Sequence, residues 1–195
     1  METVINSLVY TAPPVNRKEI LRYLNAECET EELKTLIDET LKEVESVLSY
    51  KVCYGEFAVT ASGNSIDFKV CRATSSDLAK NLCKAKKAVI FAATIGVKFD
   101  ILATRYAKMS PAKALVLQAI GNERIESLCD TFNRDITAKY TSTKPRFSPG
   151  YGDLDLKMQR DIFKVLDCSR RIGLTLNESL LMSPQKSVTA IIGIC

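Results

Sequence analysis

Histidine is missing from all 195 residues of the chain. Its absence removes the commonest general base, the Ser–His and Cys–His nucleophile pairs and the commonest metal ligand. That argues against a hydrolase more strongly than any motif argues for one. Closely spaced cysteines are missing too. The seven cysteines (28, 53, 71, 83, 129, 168 and 195) include no Cys-x-x-Cys pair, and no two lie closer than twelve residues. A zinc or iron–sulfur site has little support, and no metal is expected. Most of the cysteines read as small buried apolar residues in a reducing compartment. No apolar run reaches the roughly 18 to 20 residues that span a bilayer. Residues Met1–Asn6 lack the basic-then-apolar order of a secretory signal. The expected location is the cytoplasm, with no membrane partner.

Phosphate-binding loops are also lacking. No Gly-x-x-x-x-Gly-Lys-Ser/Thr run occurs, and Gly150-Tyr151-Gly152 lacks the third glycine of a dinucleotide fingerprint and follows a loop. The glycines therefore signal neither a dinucleotide site nor an ordinary nucleotide-fold methyltransferase. What remains is an ordinary globular balance, 46% hydrophobic and 26% charged with a net charge of +4. The length suits one larger domain, or a small helical lobe attached to a sheet-containing one. Lys84, Lys86 and Lys87, the tightest basic cluster, read as the solvated end of a helix before a buried strand. A nucleic-acid face needs more basic residues interleaved with aromatics, so no nucleic-acid partner is expected. A modest positive surface suits an acidic protein partner.

Along the chain, Pro13-Pro14 breaks an apolar opening that runs through Tyr10. Asn16 and Glu19 have capping-box spacing, which predicts a short helix to about Asn25. Thr30 caps a second helix, with Leu33, Leu36, Ile37, Leu41, Val44, Val47 and Leu48 on one face. Residues 50–60 and the alternating Ile66, Phe68 and Val70, joined by turn residues 61–64, predict a β-hairpin. Ser75 or Ser76 caps a short helix through Cys83. The apolar run Lys87–Thr94 is a central strand, ending in the turn Ile95-Gly96. Ser110-Pro111 opens a helix to about Phe132, with Leu115, Ala119, Ile125 and Leu128 inward and Gly121 allowing close packing. Glu123 and Glu126 lie on that helix and read first as solvated surface charge. After a polar stretch at 139–145, Asp153 is placed to cap a helix with Met158, Ile162, Phe163, Val165 and Leu166 inward. Gly173 ends a short helical turn, and Ser183–Lys186 turns into a last buried strand, 187–194. Strands and helices interspersed without a βαβ rhythm predict an α+β fold.

One stretch concentrates chemistry: Arg146-Phe147-Ser148-Pro149-Gly150-Tyr151-Gly152-Asp153. Arg146 offers a planar fork suited to a carboxylate, and Tyr151 a flat face with a polar tip. Pro149 biases Ser148 away from helical geometry, and the glycines let a ligand approach the main chain. A surface turn between two helices accounts for the same composition.

Arg146-x-x-x-Gly150-Tyr151 resembles the S-adenosylmethionine-binding signature of the activation domain of cobalamin-dependent methionine synthase. The resemblance continues through the helix 156–166, Gly173-Leu174-Thr175-Leu176-Asn177-Glu178-Ser179 and Met182-Ser183-Pro184-Gln185-Lys186-Ser187-Val188. Upstream, Ala92-Ala93-Thr94-Ile95-Gly96 and the helix with Gly121 and Glu126 look like small standalone relatives of that domain. Asn177 and Ser183 stand where the domain typically has threonine and tryptophan.

The resemblance implies an α+β fold with a mixed, mainly antiparallel sheet flanked by helices. It also implies one domain over 1–195 with a helical N-terminal portion, 1–49. It implies binding of S-adenosylmethionine and assistance in reductive methylation of cob(II)alamin, with a flavodoxin-type donor supplying the electron. The cobalamin sits on a partner, a methionine synthase or other corrinoid protein, since no cobalamin module is recognisable and no histidine can ligate cobalt. In the implied site Arg146 takes the methionine carboxylate. Tyr151 lies near the sulfonium or the adenine. Backbone groups of Phe147, Ser148, Pro149 and Gly150 meet the adenine edge, and Glu123 or Glu126 faces the ammonium group. The chain would be an accessory component without a catalytic nucleophile. The alternative is an interaction module of the same fold that docks on a corrinoid protein without binding the methyl donor.

Overall fold

The computed structural model describes residues 4–140 and 142–195. Residues 1–3 of the segment read for an export signal, and residue 141 in the polar stretch, lie outside them. The chain runs Ile5–Tyr10 (β1), Arg17–Tyr23 (α1), Glu31–Glu45 (α2) and Tyr50–Ala58 (β2). Next come the short strands Thr60–Ser62 (β3), Ser65–Asp67 (β4) and Arg72–Thr74 (β5), then Ser76–Asn81 (α3) and Lys87–Thr94 (β6). The second half holds Val97–Met109 (α4), Pro111–Tyr140 (α5), Met158–Leu166 (α6), Cys168–Ile172 (α7), Thr175–Leu176 (β7), Met182–Ser183 (β8) and Ser187–Ile194 (β9). The α+β architecture is as expected, and every pairing among the described strands is antiparallel.

The main sheet has the order β1-β2-β6-β9. Successive side chains of a strand point to opposite faces, so β6 feeds two cores at once. Val89, Phe91 and Ala93 pack with α1, α2, α4 and α5. Ala88, Ile90 and Ala92 pack with α3, α6, α7 and the small β3-β4-β5 sheet. Double burial is why this antiparallel strand is apolar throughout rather than alternating. Gly121 of α5 is needed for close approach, because a Cβ there would collide with the Phe99 ring.

Local capping follows the sequence at three helices: Asn16, Thr30 and Ser75 accept from the backbone N–H three residues on. Four features depart from it. The N-terminal portion carries its two helices, but its apolar opening is the edge strand β1, half exposed and so without a clear period. Residues 50–58 do not form a hairpin with 66–70; of the first stretch only Thr60 joins it, opposite Asp67. β2 pairs with β1 and β6 in the main sheet, and the turn at Gly63-Asn64 joins only β3 and β4. α5 continues eight residues past Phe132 on the strength of Ile136, its only buried residue there, and Leu115 is 59% exposed rather than inward. Finally, Cys53, Cys129 and Cys168 are buried, but Cys28, Cys83 and Cys195 are exposed.

Candidate functional site

The segment 146–153 is pinned at both ends. Thr143 and Phe147 bridge to Ile194 and Ile191 on the outer edge of β9. Phe147 donates its N–H to the Ile191 carbonyl and accepts from the Ile191 N–H, both at 2.9 Å. Its ring packs against the second core. Both backbone hydrogen-bonding groups of Phe147 are therefore engaged by β9. Past it, Tyr151 N–H donates to the Ser148 carbonyl at 3.1 Å, closing a turn in which Gly150 takes φ +89°. That left-handed conformation is open to glycine at little cost.

Asp153 anchors the far end, but not by capping the next helix. Its carboxylate accepts the backbone N–H of Ser76 at 2.8 Å and of Asp77 at 3.2 Å, with the hydroxyls of Ser75 and Ser76. It thus closes the N-terminus of α3, whose leading N–H groups have no partner within the helix. Hydrogen bonds from Ser75 and Ser76 hold the Asp153 carboxyl well below the usual carboxylate range. α6 begins with Lys157 at its cap position, whose N–H is taken by Asp155 at 2.8 Å.

Between this loop, the uncovered end of β9, α5 and α6 lies a cavity of about 420 Å³. Small-molecule sites span roughly 300–1,000 Å³. Arg146, Ser148, Pro149, Gly150 and Tyr151 form one wall, Glu126 and Gln159 the flanks, and Met182 with Ser187, Val188 and Thr189 the back. Arg146 donates to Glu126 and to Asp130. The two acids are four residues apart on α5 and so share a face. One fixed cation against two carboxylates leaves this corner with a formal charge of −1. Tyr151 stands at the mouth, 70% exposed, its ring and that of Phe147 inclined at 65° with 6.5 Å between centroids.

Glu123 is neither solvated nor in the cavity. It is 1% exposed beside a fully buried Arg124. Arg124 donates to Glu123 at 2.6 and 2.7 Å, to the carbonyls of Pro13 and Pro14 at 2.7 and 3.0 Å, and to Glu45 at 3.1 Å. Glu123 also accepts from Ser127 at 2.6 Å and from the Asn16 N–H at 2.9 Å. A desolvated guanidinium needs this full complement of acceptors, and Glu123 is spent on supplying it.

Two lining residues carry no sequence prediction. Gln159 Oε1 and Thr189 Oγ1 are buried without a hydrogen-bond partner among the described residues. Gln159 is 6% exposed and Thr189 2%. A signal for each exists in the pattern: Gln159 falls on the inward stripe of Met158, Ile162 and Leu166, and Thr189 on the same strand face as the buried Ile191. Among the described residues no group of His, Cys, Asp and Glu is arranged to hold a metal ion, and no helix is long and apolar enough to cross a membrane.

A sheet-edge cavity walled by a pinned glycine loop defines an α+β module whose cavity falls in the size range of small-molecule sites. The profile of the family described as vitamin B12 dependent methionine synthase, activation domain, matches residues 70–194, and the chain belongs to that family. Its fold is similar to a solved structure described as the crystal structure of the MetH reactivation domain bound to AdoHcy. The TM-score is 0.76 at 14% identity, over 97% of this chain and 78% of that one. No curated protein sequence matches.

Proposed function

We propose that the protein binds S-adenosylmethionine in this cavity and presents it to cobalamin held by a partner methionine synthase or other corrinoid protein. The observation that carries the reading is the cavity itself, walled by Arg146 and Ser148–Tyr151 in a chain of this family. The bound AdoHcy of the similar solved structure supports the same ligand class. When bound, the donor supplies a methyl group activated on a sulfonium, while a flavodoxin-type protein supplies the electron that reduces cobalt. This chain binds and orients. Arg146 keeps N–H donors beyond those given to Glu126 and Asp130 and directs them at the carboxylate. Glu126, the one of the two acids that lines the cavity, turns its remaining lone pairs to the ammonium group. The negative corner complements a ligand that is a net cation. Tyr151 at the mouth stands where the methyl group leaves. The contribution to rate is positioning. The reading takes 1–195 as one domain, supported by β1 pairing along β2 and by α1 and α2 packing on α5.

A second reading has one observation in its favour: Arg146 is already paired by Glu126 and Asp130. An interaction module of this fold would need no ligand there. Calorimetric titration with S-adenosylmethionine separates the two. Binding that weakens by roughly 1.5–3 kcal/mol in Arg146→Ala, the scale of a charged hydrogen bond, supports the ligand site. Absence of both heat and thermal shift at millimolar ligand defeats it.

A further inference from the structure

We infer that Gln159 and Thr189 read the base of the ligand and select a purine that carries an exocyclic amine. The inference rests on the adenosyl reading of the cavity and adds the residues that set its specificity.

Five buried side-chain polar atoms lack a partner among the described residues, and two of them line this one cavity. Native structures leave few such atoms unpaired, and each calls for an explanation. Water entering the cavity serves both in the free protein. A ligand that displaces that water must offer matching groups or lose affinity. The placement says which end of the ligand meets them. Glu126 and Arg146 lie on the α5 side of the sheet edge, whereas α6 and the Ile191 face of β9 belong to the opposite core. An amino-acid group held at Arg146 therefore directs the base toward Gln159 and Thr189. A carboxamide presents an acceptor and a donor side by side, the pattern that pairs with the amine and N7 of adenine. Hypoxanthine, with a carbonyl in place of the amine, sets two acceptors against the same group. The Thr189 hydroxyl, donor and acceptor in one, completes the edge.

The test compares S-adenosylhomocysteine with S-inosylhomocysteine, its deaminated analogue, by calorimetry on the full chain. The wild type is expected to prefer the adenosyl compound by about tenfold or more, since a site built to hydrogen-bond a group rejects the analogue lacking it. Gln159→Leu and Gln159→Met bring that ratio close to one, and Thr189→Val narrows it less. Without ligand, both Gln159 variants melt near or above the wild-type temperature, because the carboxamide they replace has no protein hydrogen-bond partner to lose. A preference that survives in both variants overturns the inference alone, as does a loss of ligand-free stability in both, which makes Gln159 structural. A wild type that binds neither compound defeats the adenosyl reading and this inference with it.

Discussion

Glu123 and Glu126 stand three residues apart on α5 and belong to opposite kinds of polar cluster. Glu123 shares a saturated one: it is buried, and the Arg124 guanidinium beside it is divided among Glu123, Glu45 and two proline carbonyls. Glu126 shares an open one, with Arg146 23% and Asp130 65% exposed, and a cavity in place of the missing protein neighbours. A saturated cluster has nothing left to offer a ligand and much to lose from a deletion. An open one is the reverse. The first staples the N-terminal segment to α5, through Asn16 and the Pro13-Pro14 carbonyls. The second leaves donors and acceptors facing solvent where a small molecule fits.

The largest effect should come from breaking the closed cluster. Glu123→Ala takes the bidentate partner from a buried guanidinium, leaving it Glu45 and two proline carbonyls. Removing one partner of a buried pair costs about 3–5 kcal/mol. Urea unfolding reads this directly. Replacing Glu123 and Arg124 together by Met and Leu should recover much of the loss, since the penalty lies in the uncompensated charge. A single variant that unfolds no more easily than wild type would erase the distinction between the clusters.

Glu126→Ala should behave oppositely. Its unfolding free energy should move by no more than about 1 kcal/mol, the usual limit for partly exposed pairs. Affinity for S-adenosylmethionine should fall on the order of tenfold, the loss of one charge-assisted contact. If Glu126→Ala instead unfolds as readily as Glu123→Ala with ligand binding intact, the open cluster is another staple.

How much of this was legible follows from the range of the interactions involved. The caps at Asn16, Thr30 and Ser75 and the twice-buried β6 each depend on residues a few positions apart, and the pattern carries them. The Arg146–Tyr151 stretch stood out because its residue types are unusual together. Glu123 and Glu126 could not be told apart, because what separates them is Arg124 meeting Pro13 and Pro14, 110 or more residues away. At Phe147 nothing local reports that β9 pairs with both its backbone groups. Gln159 and Thr189 were visible only as polar residues on apolar stripes, a signal that needs the facing wall to become a site.

Asp153 makes the smallest and most conditional contribution, and its sign is fixed by its hydrogen bonds. The bonds from Ser75, Ser76 and Asp77 favour the ionised form, so the folded-state pKa lies below the ordinary value of 3.8. The stability it confers is complete above the ordinary carboxyl range and lost as pH falls below it. Asp153→Asn should therefore be less stable than wild type at pH 7, by less than the loss expected of Glu123→Ala, which removes a buried charge. The gap should close as unfolding is repeated at successively lower pH through and below about 4. Because Asp153 also holds the end of the Gly150 turn against α3, the same variant should loosen the cavity wall and weaken ligand binding slightly at neutral pH. A gap between variant and wild type that stays constant from pH 7 to pH 3 would mean that α3 is held by shape and hydroxyl contacts, with the carboxylate charge idle.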